Sequence, residues 1–126
     1  MSEYKILIVD DDEDIRHLLK YNLDKEGFTT NTASNGIECL EIIKNYSPDL
    51  ILLDVMMPNM DGIEVCEKIK SDPSNKNIFI CFLTARNEDY SQIAGLEAGA
   101  DDYVAKPIKP KVLISRINAI LRRKEA

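Results

Sequence analysis

The run LILLDV at 50–55, closed by MPNMDG at 57–62, decides the fold. It is the most apolar stretch of the chain, and an aspartate stands near its end. A strand covered by helices on both sides reads as a near-continuous run of Leu, Ile and Val. The segment is therefore expected as a central strand of a parallel sheet, with Asp54 at its carboxyl end. Pro58, Asn59 and Gly62 supply the turn that follows.

Outward from that run, strand and helix signals alternate without interruption. Upstream, KILIV at 5–9 is a short β-branched run followed by acidic residues. Ile15, Leu18, Leu19 and Leu23 then recur at helical spacing, and Gly27 stops the helix. Residues 28–32 read as a second strand, polar enough for a sheet edge. A helix is expected over 35–46 with Leu40 and Ile43 inward, ending before Pro48. Downstream, Gly62, Val65, Cys66 and Ile69 share one face of a helix over 63–70. Residues 71–77 are a polar loop, and IFICFL at 78–83 is the fourth strand. A weaker helix is expected over 88–98, where Gly95 costs about 1 kcal/mol relative to alanine. Residues 102–105 form the last strand. Pro110 sits in the first turn of a final helix whose core stripe is Leu113, Ile117, Ile120 and Leu121.

Five β–α units result. Strands joined by helices pair in parallel, and the crossovers are right-handed. The expected fold is α/β: a five-stranded, doubly wound, flavodoxin-like sheet in the order 2-1-3-4-5, with five helices over its two faces.

At 126 residues the chain is one domain, 1–126, with a core from about residue 4 to 123. Hydrophobic residues make up 44% and charged ones 30%, too apolar a balance for a disordered chain. Lys and Arg number 16 against 22 Asp and Glu, a net charge of −6. That sign argues against this domain gripping nucleic acid or an anionic membrane with its bulk field. No apolar run approaches the ~20 residues of a membrane span. MSEYK leads straight into the first strand, which leaves no room for a signal peptide. Cys39, Cys66 and Cys81 lie in apolar-periodic segments without metal-like spacing. They read as buried, reduced thiols of a cytoplasmic protein.

In doubly wound sheets, ligands bind beyond the carboxyl ends of the strands, where strand order reverses. Here that point lies between the first and third strands. Asp10, Asp11 and Asp12 follow the first strand and Asp54 ends the third. Thr84 and Ala85 end the fourth, and Lys106 and Pro107 follow the fifth. Asp12 and Glu13 also suit a helix N-terminus, as cap and dipole partner. Asp10, Asp11 and Asp54 crowded on one rim repel each other, and a hard divalent cation relieves that. Mg²⁺ fits, with oxygen ligands at ~2.0–2.1 Å and room for a phosphate oxygen; Mn²⁺ is a substitute. Lys106 adds a point charge for that phosphate and Thr84 a hydroxyl donor. A carboxylate can itself attack phosphorus, and Asp54 is the natural nucleophile.

IVDDDE at 8–13, LLDVMMPNMDG at 52–62, LTA at 83–85 and GADDYVAKP at 99–107 resemble the receiver domains of two-component response regulators. The similarity covers nearly the whole chain. It implies that Asp54 accepts a phosphoryl group from a phosphohistidine on a sensor histidine kinase or histidine phosphotransfer protein. It implies Mg²⁺ held by Asp10, Asp11, Asp54 and the backbone carbonyl of Met56. Thr84 and Lys106 would hold the phosphoryl oxygens, Tyr103 would turn inward as Thr84 moves, and Lys106–Pro107 would be cis. On this reading the chain is not an enzyme beyond its own phosphorylation and dephosphorylation. Met56 and Arg86, two residues beyond Asp54 and Thr84, are bulky and predict slow loss of the phosphoryl group.

GLEAGADDYVAKP and PKVLISRINAILRR are similar to the branch of the family that carries winged-helix DNA-binding domains. That branch dimerises through helix 4, strand 5 and helix 5. The similarity implies Asp102 with Arg116 and Asp101 with Arg123 across a two-fold axis. Gln92 with Val112 and Glu97 with Asn118 depart from its charge pattern. No output domain follows LRRKEA, so the chain is read either as a single-domain relay or as a fragment. His17, off the apolar face of the first helix, reads as solvated.

Three rivals are weaker. A haloacid dehalogenase-type phosphatase wants an Asp where Met56 stands. A nucleotide or flavin binder wants a Gly-rich loop after the first strand. A phosphorylation-independent binding module has no use for Asp54, Thr84 and Lys106 together.

Overall fold

The computed structural model describes residues 4–85, 94 and 96–125. Its elements are β1 (Lys5–Val9), α1 (Glu13–Lys25), β2 (Thr29–Ala33), α2 (Gly36–Tyr46), β3 (Leu50–Asp54), α3 (Gly62–Lys70), β4 (Phe79–Thr84), β5 (Asp102–Ala105) and α4 (Pro110–Leu121). Short 3-10 turns, Pro73–Asn75 and Arg122–Glu125, complete the set. All strands pair in parallel in the order β2-β1-β3-β4-β5. The order and the parallel pairing agree with the sequence expectation, and the polar β2 is an edge strand. Four α-helices have bounds among the described residues, against five expected. The helix expected over 88–98 lies largely outside the described residues; of it, Ala94, Leu96 and Glu97 are helical.

Alternation along each strand sorts the core into two layers. Ile6, Ile8, Leu50, Leu52, Cys81 and Leu83 face α1 and α4, where Leu19, Leu23, Leu113 and Ile117 meet them. Leu7, Val9, Ile51, Leu53, Ile80 and Phe82 face α2 and α3, where Cys39, Ile43, Val65, Cys66 and Ile69 meet them. All five β3 residues are buried, as expected of a strand with helices on both sides. Each fully buried Leu or Ile contributes about 1.5–3 kcal/mol, so these two layers hold the sheet rigid beneath its rim. All three cysteines are free and buried. Burial pushes the Cys39 and Cys66 thiols up to about 12 and about 11, which leaves them unreactive.

Gly62 governs how closely α3 approaches the end of β3. A Cβ placed there would lie 2.2 Å from the Asp54 carbonyl oxygen. The Gly62 N–H donates to Val55 O at 2.8 Å, and the Asp61 side chain caps α3 by accepting from Glu64 N–H. No helix among the described residues is long and apolar enough to cross a membrane.

Candidate functional site

The carboxyl end of β1 delivers Asp10, which is fully buried. Its N–H donates to Ala33 O at 3.2 Å, and its Oδ1 accepts the Asp12 N–H at 2.9 Å. Its carbonyl oxygen accepts Arg16 Nη1 at 2.7 Å. Asp12 caps α1 by accepting from Asp14 and Ile15 N–H, the capping role expected of it. Asp11 between them is exposed.

Asp54, at the end of β3, is 4% exposed. Its Oδ1 lies 3.3 Å from Lys106 Nζ and 3.4 Å from the Met56 N–H donor. The same Lys106 ammonium stands 3.3 Å from Asp10 Oδ2, in ion-pair contact but without hydrogen-bond alignment on that oxygen. Oxygens of Asp10, Asp11 and Asp54 all lie within 4.8 Å of one another, close enough to share one cation. Burial, then the charge of Asp10, pushes the Asp54 carboxyl from 3.8 up to about 7; Lys106 and the Met56 N–H pull against that rise. Burial works against the charge on Lys106. Asp54 and Asp10 outweigh it, and the lysine pKa is raised.

Thr84 ends β4, almost fully buried, and its Oγ1 has no hydrogen-bond partner. Among the described residues, Asp10 Oδ2 and Thr84 Oγ1 are the buried side-chain polar atoms left without one. Buried polar groups are nearly always bonded, and an orphan costs about 1–3 kcal/mol. Both orphans border this rim. Donor and acceptor chemistry thus fits a small, highly charged group: carboxylates for a cation, an ammonium and a hydroxyl for an anion.

Strand register explains the arrangement. Ile6, Ile8 and Asp10 alternate on the α1/α4 face, as do Leu50, Leu52 and Asp54. Thr84 follows Ile80 and Phe82 on the opposite face. Phe82 pairs with Tyr103 and Thr84 with Ala105, so Tyr103 shares Thr84's face and the small Ala105 lies beside the hydroxyl. Tyr103 is half-buried and packs on the α2/α3 layer. The Lys106 N–H donates to Thr84 O at 2.6 Å, and Lys106–Pro107 is cis as expected. The Met56 side chain is exposed at the rim, while Arg86 and Gln92 lie outside the described residues. His17 is exposed.

The residues expected to pair across a two-fold axis also meet within the single chain. Arg116 Nη1 meets Asp102 Oδ1 at 3.0 Å and Arg123 Nη2 meets Asp101 Oδ1 at 3.3 Å, both within a single chain. Asp101 also accepts the Ile80 N–H and lies 3.6 Å from Lys70 Nζ. Side chains reaching from α4 and the turn after it satisfy these carboxylates without a two-fold axis. The contact between Arg16 and Asp10 carries no sequence signal, because a side-chain bond to a backbone carbonyl leaves no periodic trace.

A rigid sheet that gathers on one rim carboxylates close enough to share a cation, an ammonium and an unbonded hydroxyl is suited to holding a phosphoryl group. By direct comparison the chain belongs to the response regulator receiver domain family, which residues 6–118 match. It is 49% identical over 122 residues to the alkaline phosphatase synthesis transcriptional regulatory protein PhoP of Bacillus subtilis, covering 96% of this chain and 50% of that protein. It is 44% identical over 121 residues to the DNA-binding response regulator MtrA of Mycolicibacterium smegmatis, covering 96% and 52%. A crystal structure of a two-component response regulator from Clostridium difficile superposes with a TM-score of 0.91 at 35% identity, covering 98% of this chain and all of that one. The chain spans about half the length of the curated relatives it matches. It is a receiver domain of two-component signalling, a phospho-accepting switch.

Proposed function

We propose that Asp54 is the phosphoryl acceptor, that Thr84 and Lys106 hold the phosphoryl group, and that Thr84 and Tyr103 carry the switch. The observation that supports this most is the pair of orphaned buried atoms, Asp10 Oδ2 and Thr84 Oγ1, at the same end of the sheet as the Asp54–Lys106 contact. In the transfer, an Asp54 carboxylate oxygen forms the new O–P bond while the P–N bond of a phosphohistidine breaks. The bonding pair returns to the imidazole, which takes up a proton. Asp10, Asp11, Asp54 and the Met56 carbonyl would hold Mg²⁺, or Mn²⁺ in its place. When bound, the ion supplies the charge that offsets the carboxylates and the incoming phosphoryl oxygens. Lys106 steadies the phosphoryl group as a point charge, and Thr84 gains in it the hydrogen-bond partner it lacks.

The partners are a sensor histidine kinase or histidine phosphotransfer protein and, on phosphorylation, a second copy through the segment before β5, β5 itself and α4. Names of relatives that include "transcriptional" and "DNA-binding" support control of a DNA-binding output domain in the cytoplasm. The test is incubation with acetyl phosphate and Mg²⁺, read by intact mass. An adduct of about 80 Da, one phosphoryl unit, is expected. Its persistence in Asp54→Ala would refute the assignment.

A further inference from the structure

We propose that Arg16 is a positioning residue for the cation site: its guanidinium holds the backbone of Asp10 so that the Asp10 carboxylate is presented to the ion. The inference rests on the assignment of the Asp10–Asp11–Asp54 rim as that site.

Asp10 is pinned on three sides. Its N–H is tied to β2 through Ala33 O at 3.2 Å, and its Oδ1 is occupied by the Asp12 N–H at 2.9 Å. Its carbonyl oxygen is gripped by Arg16 Nη1 at 2.7 Å, the shortest of the three contacts. What remains is Oδ2, buried, without an aligned donor and facing the rim. The first two restraints come from backbone groups that any sequence would offer. The third depends on one side chain.

That side chain is placed against its local preference. Arg16 lies near the N-terminus of α1, the end that favours anions and disfavours cations. Asp10, Asp11, Asp12, Glu13 and Asp14 all stand within six residues of it, yet its guanidinium donates to a main-chain carbonyl. A planar fork of donors is well shaped for this. It fixes the peptide's direction and brings positive charge behind a carboxylate without occupying its oxygens. Arg16 is half-buried, so the bond is sheltered from competing water. Outer partners of this kind set the orientation of metal ligands, and their loss typically weakens binding about 10–100-fold.

The test compares the parent chain with Arg16→Ala and Arg16→Lys at about pH 8, where Asp54 is mostly ionised. Mg²⁺ affinity is read by NMR titration, and amide exchange at Asp12 is read in metal-free protein. Arg16→Ala is expected to raise the Mg²⁺ Kd about 10-fold and to speed Asp12 exchange, with Arg16→Lys intermediate. The half-saturating Mg²⁺ for phosphorylation by acetyl phosphate should rise in step, while the rate at saturating Mg²⁺ largely recovers. A merely structural arginine would lower Tm without moving the Mg²⁺ midpoint. A Kd within about 2-fold of the parent in Arg16→Ala overturns the proposal. If the alanine variant does not fold, the lysine variant decides on the same criterion. Failure of the parent itself to bind Mg²⁺ would refute the cation site as a whole, and the parent arm alone reveals it.

Discussion

Lys106 and Asp54 are 52 positions apart in sequence, and their charged atoms lie 3.3 Å apart at the rim of the sheet. The same ammonium is 3.3 Å from Asp10 Oδ2. One cation therefore serves two buried carboxylates while Asp11 adds a third to the cluster. The rim is underbalanced in positive charge, and burial first, then the Asp10 charge, raises the Asp54 carboxyl.

That imbalance sets a pH dependence. The Asp54 pKa rises from 3.8 to about 7 on folding, so the folded chain binds more protons than the unfolded one between those values. The stabilising contribution is fully present below about 4 and is lost as pH rises through about 7. Asp54→Asn removes the penalty. Without metal it should be more stable than the parent at pH 8 by about 2 kcal/mol, roughly 6–10 °C in Tm, with the gap closing toward pH 4. Thermal scans across pH in chelator check this, and parallel curves for the two proteins would refute it.

Thr84→Val separates stability from switching. The hydroxyl is buried and unbonded, so replacing it with a methyl group of similar size should raise stability by up to about 1 kcal/mol. Phosphorylation should still occur. The phosphorylation-dependent NMR shift at Tyr103, on the same face one strand away, should shrink or vanish. A fully retained Tyr103 response would show that the hydroxyl does not carry the signal.

The core of the fold was legible because its two periods differ so sharply. LILLDV reads as a strand covered on both faces, and the polar run at 28–32 reads as an edge strand, which the structure places at Thr29–Ala33. The rim residues followed from topology, since whatever trails each parallel strand lands on one side. Other features had no such trace. Arg16 bonds a backbone carbonyl, which any residue could have offered. The close packing at Gly62 depends on the Asp54 carbonyl, not on a side-chain pattern. Asp101 and Asp102 find Arg123 and Arg116 within one chain, and a charge pattern alone does not say which copy supplies the partner.

Gly62 should not tolerate a side chain. A Cβ would meet the Asp54 carbonyl oxygen at 2.2 Å and the Asp54–Val55 main chain behind it, which is backbone and yields little. Gly62→Ala should cost about 2–3 kcal/mol, as overpacking against backbone does. Because the strain falls on the peptide of Asp54, the proposed acceptor, phosphorylation should slow as well. Denaturant titration and acetyl phosphate kinetics read the two effects.

Met56 is exposed two residues beyond Asp54, the proposed acceptor. Its bulk and lack of hydrogen-bonding groups predict a long-lived phosphoryl state. Met56→Asn should speed its loss several-fold by helping to orient water, an effect of the size expected for one positioned polar group. Radiolabel decay after removal of the phosphodonor measures it. An unchanged half-life would assign the lifetime elsewhere.

The intrachain pairs bear on the dimer. Arg116–Asp102 is exposed, and such a pair contributes about 0–1 kcal/mol, so exchanging it for the same pair across a two-fold axis changes little. The proposed association through β5 and α4 would then draw on apolar contact. Val112, 46% exposed on α4 beside Arg116 and Ala119, is an apolar residue available there. With beryllofluoride and Mg²⁺, sedimentation should show the parent dimerising and Val112→Glu remaining monomeric, since a buried unpaired charge is costly in an interface core. Weak dependence on salt should accompany it. A dimer that survives Val112→Glu but dissolves in salt would place the driving force in the ion pairs after all.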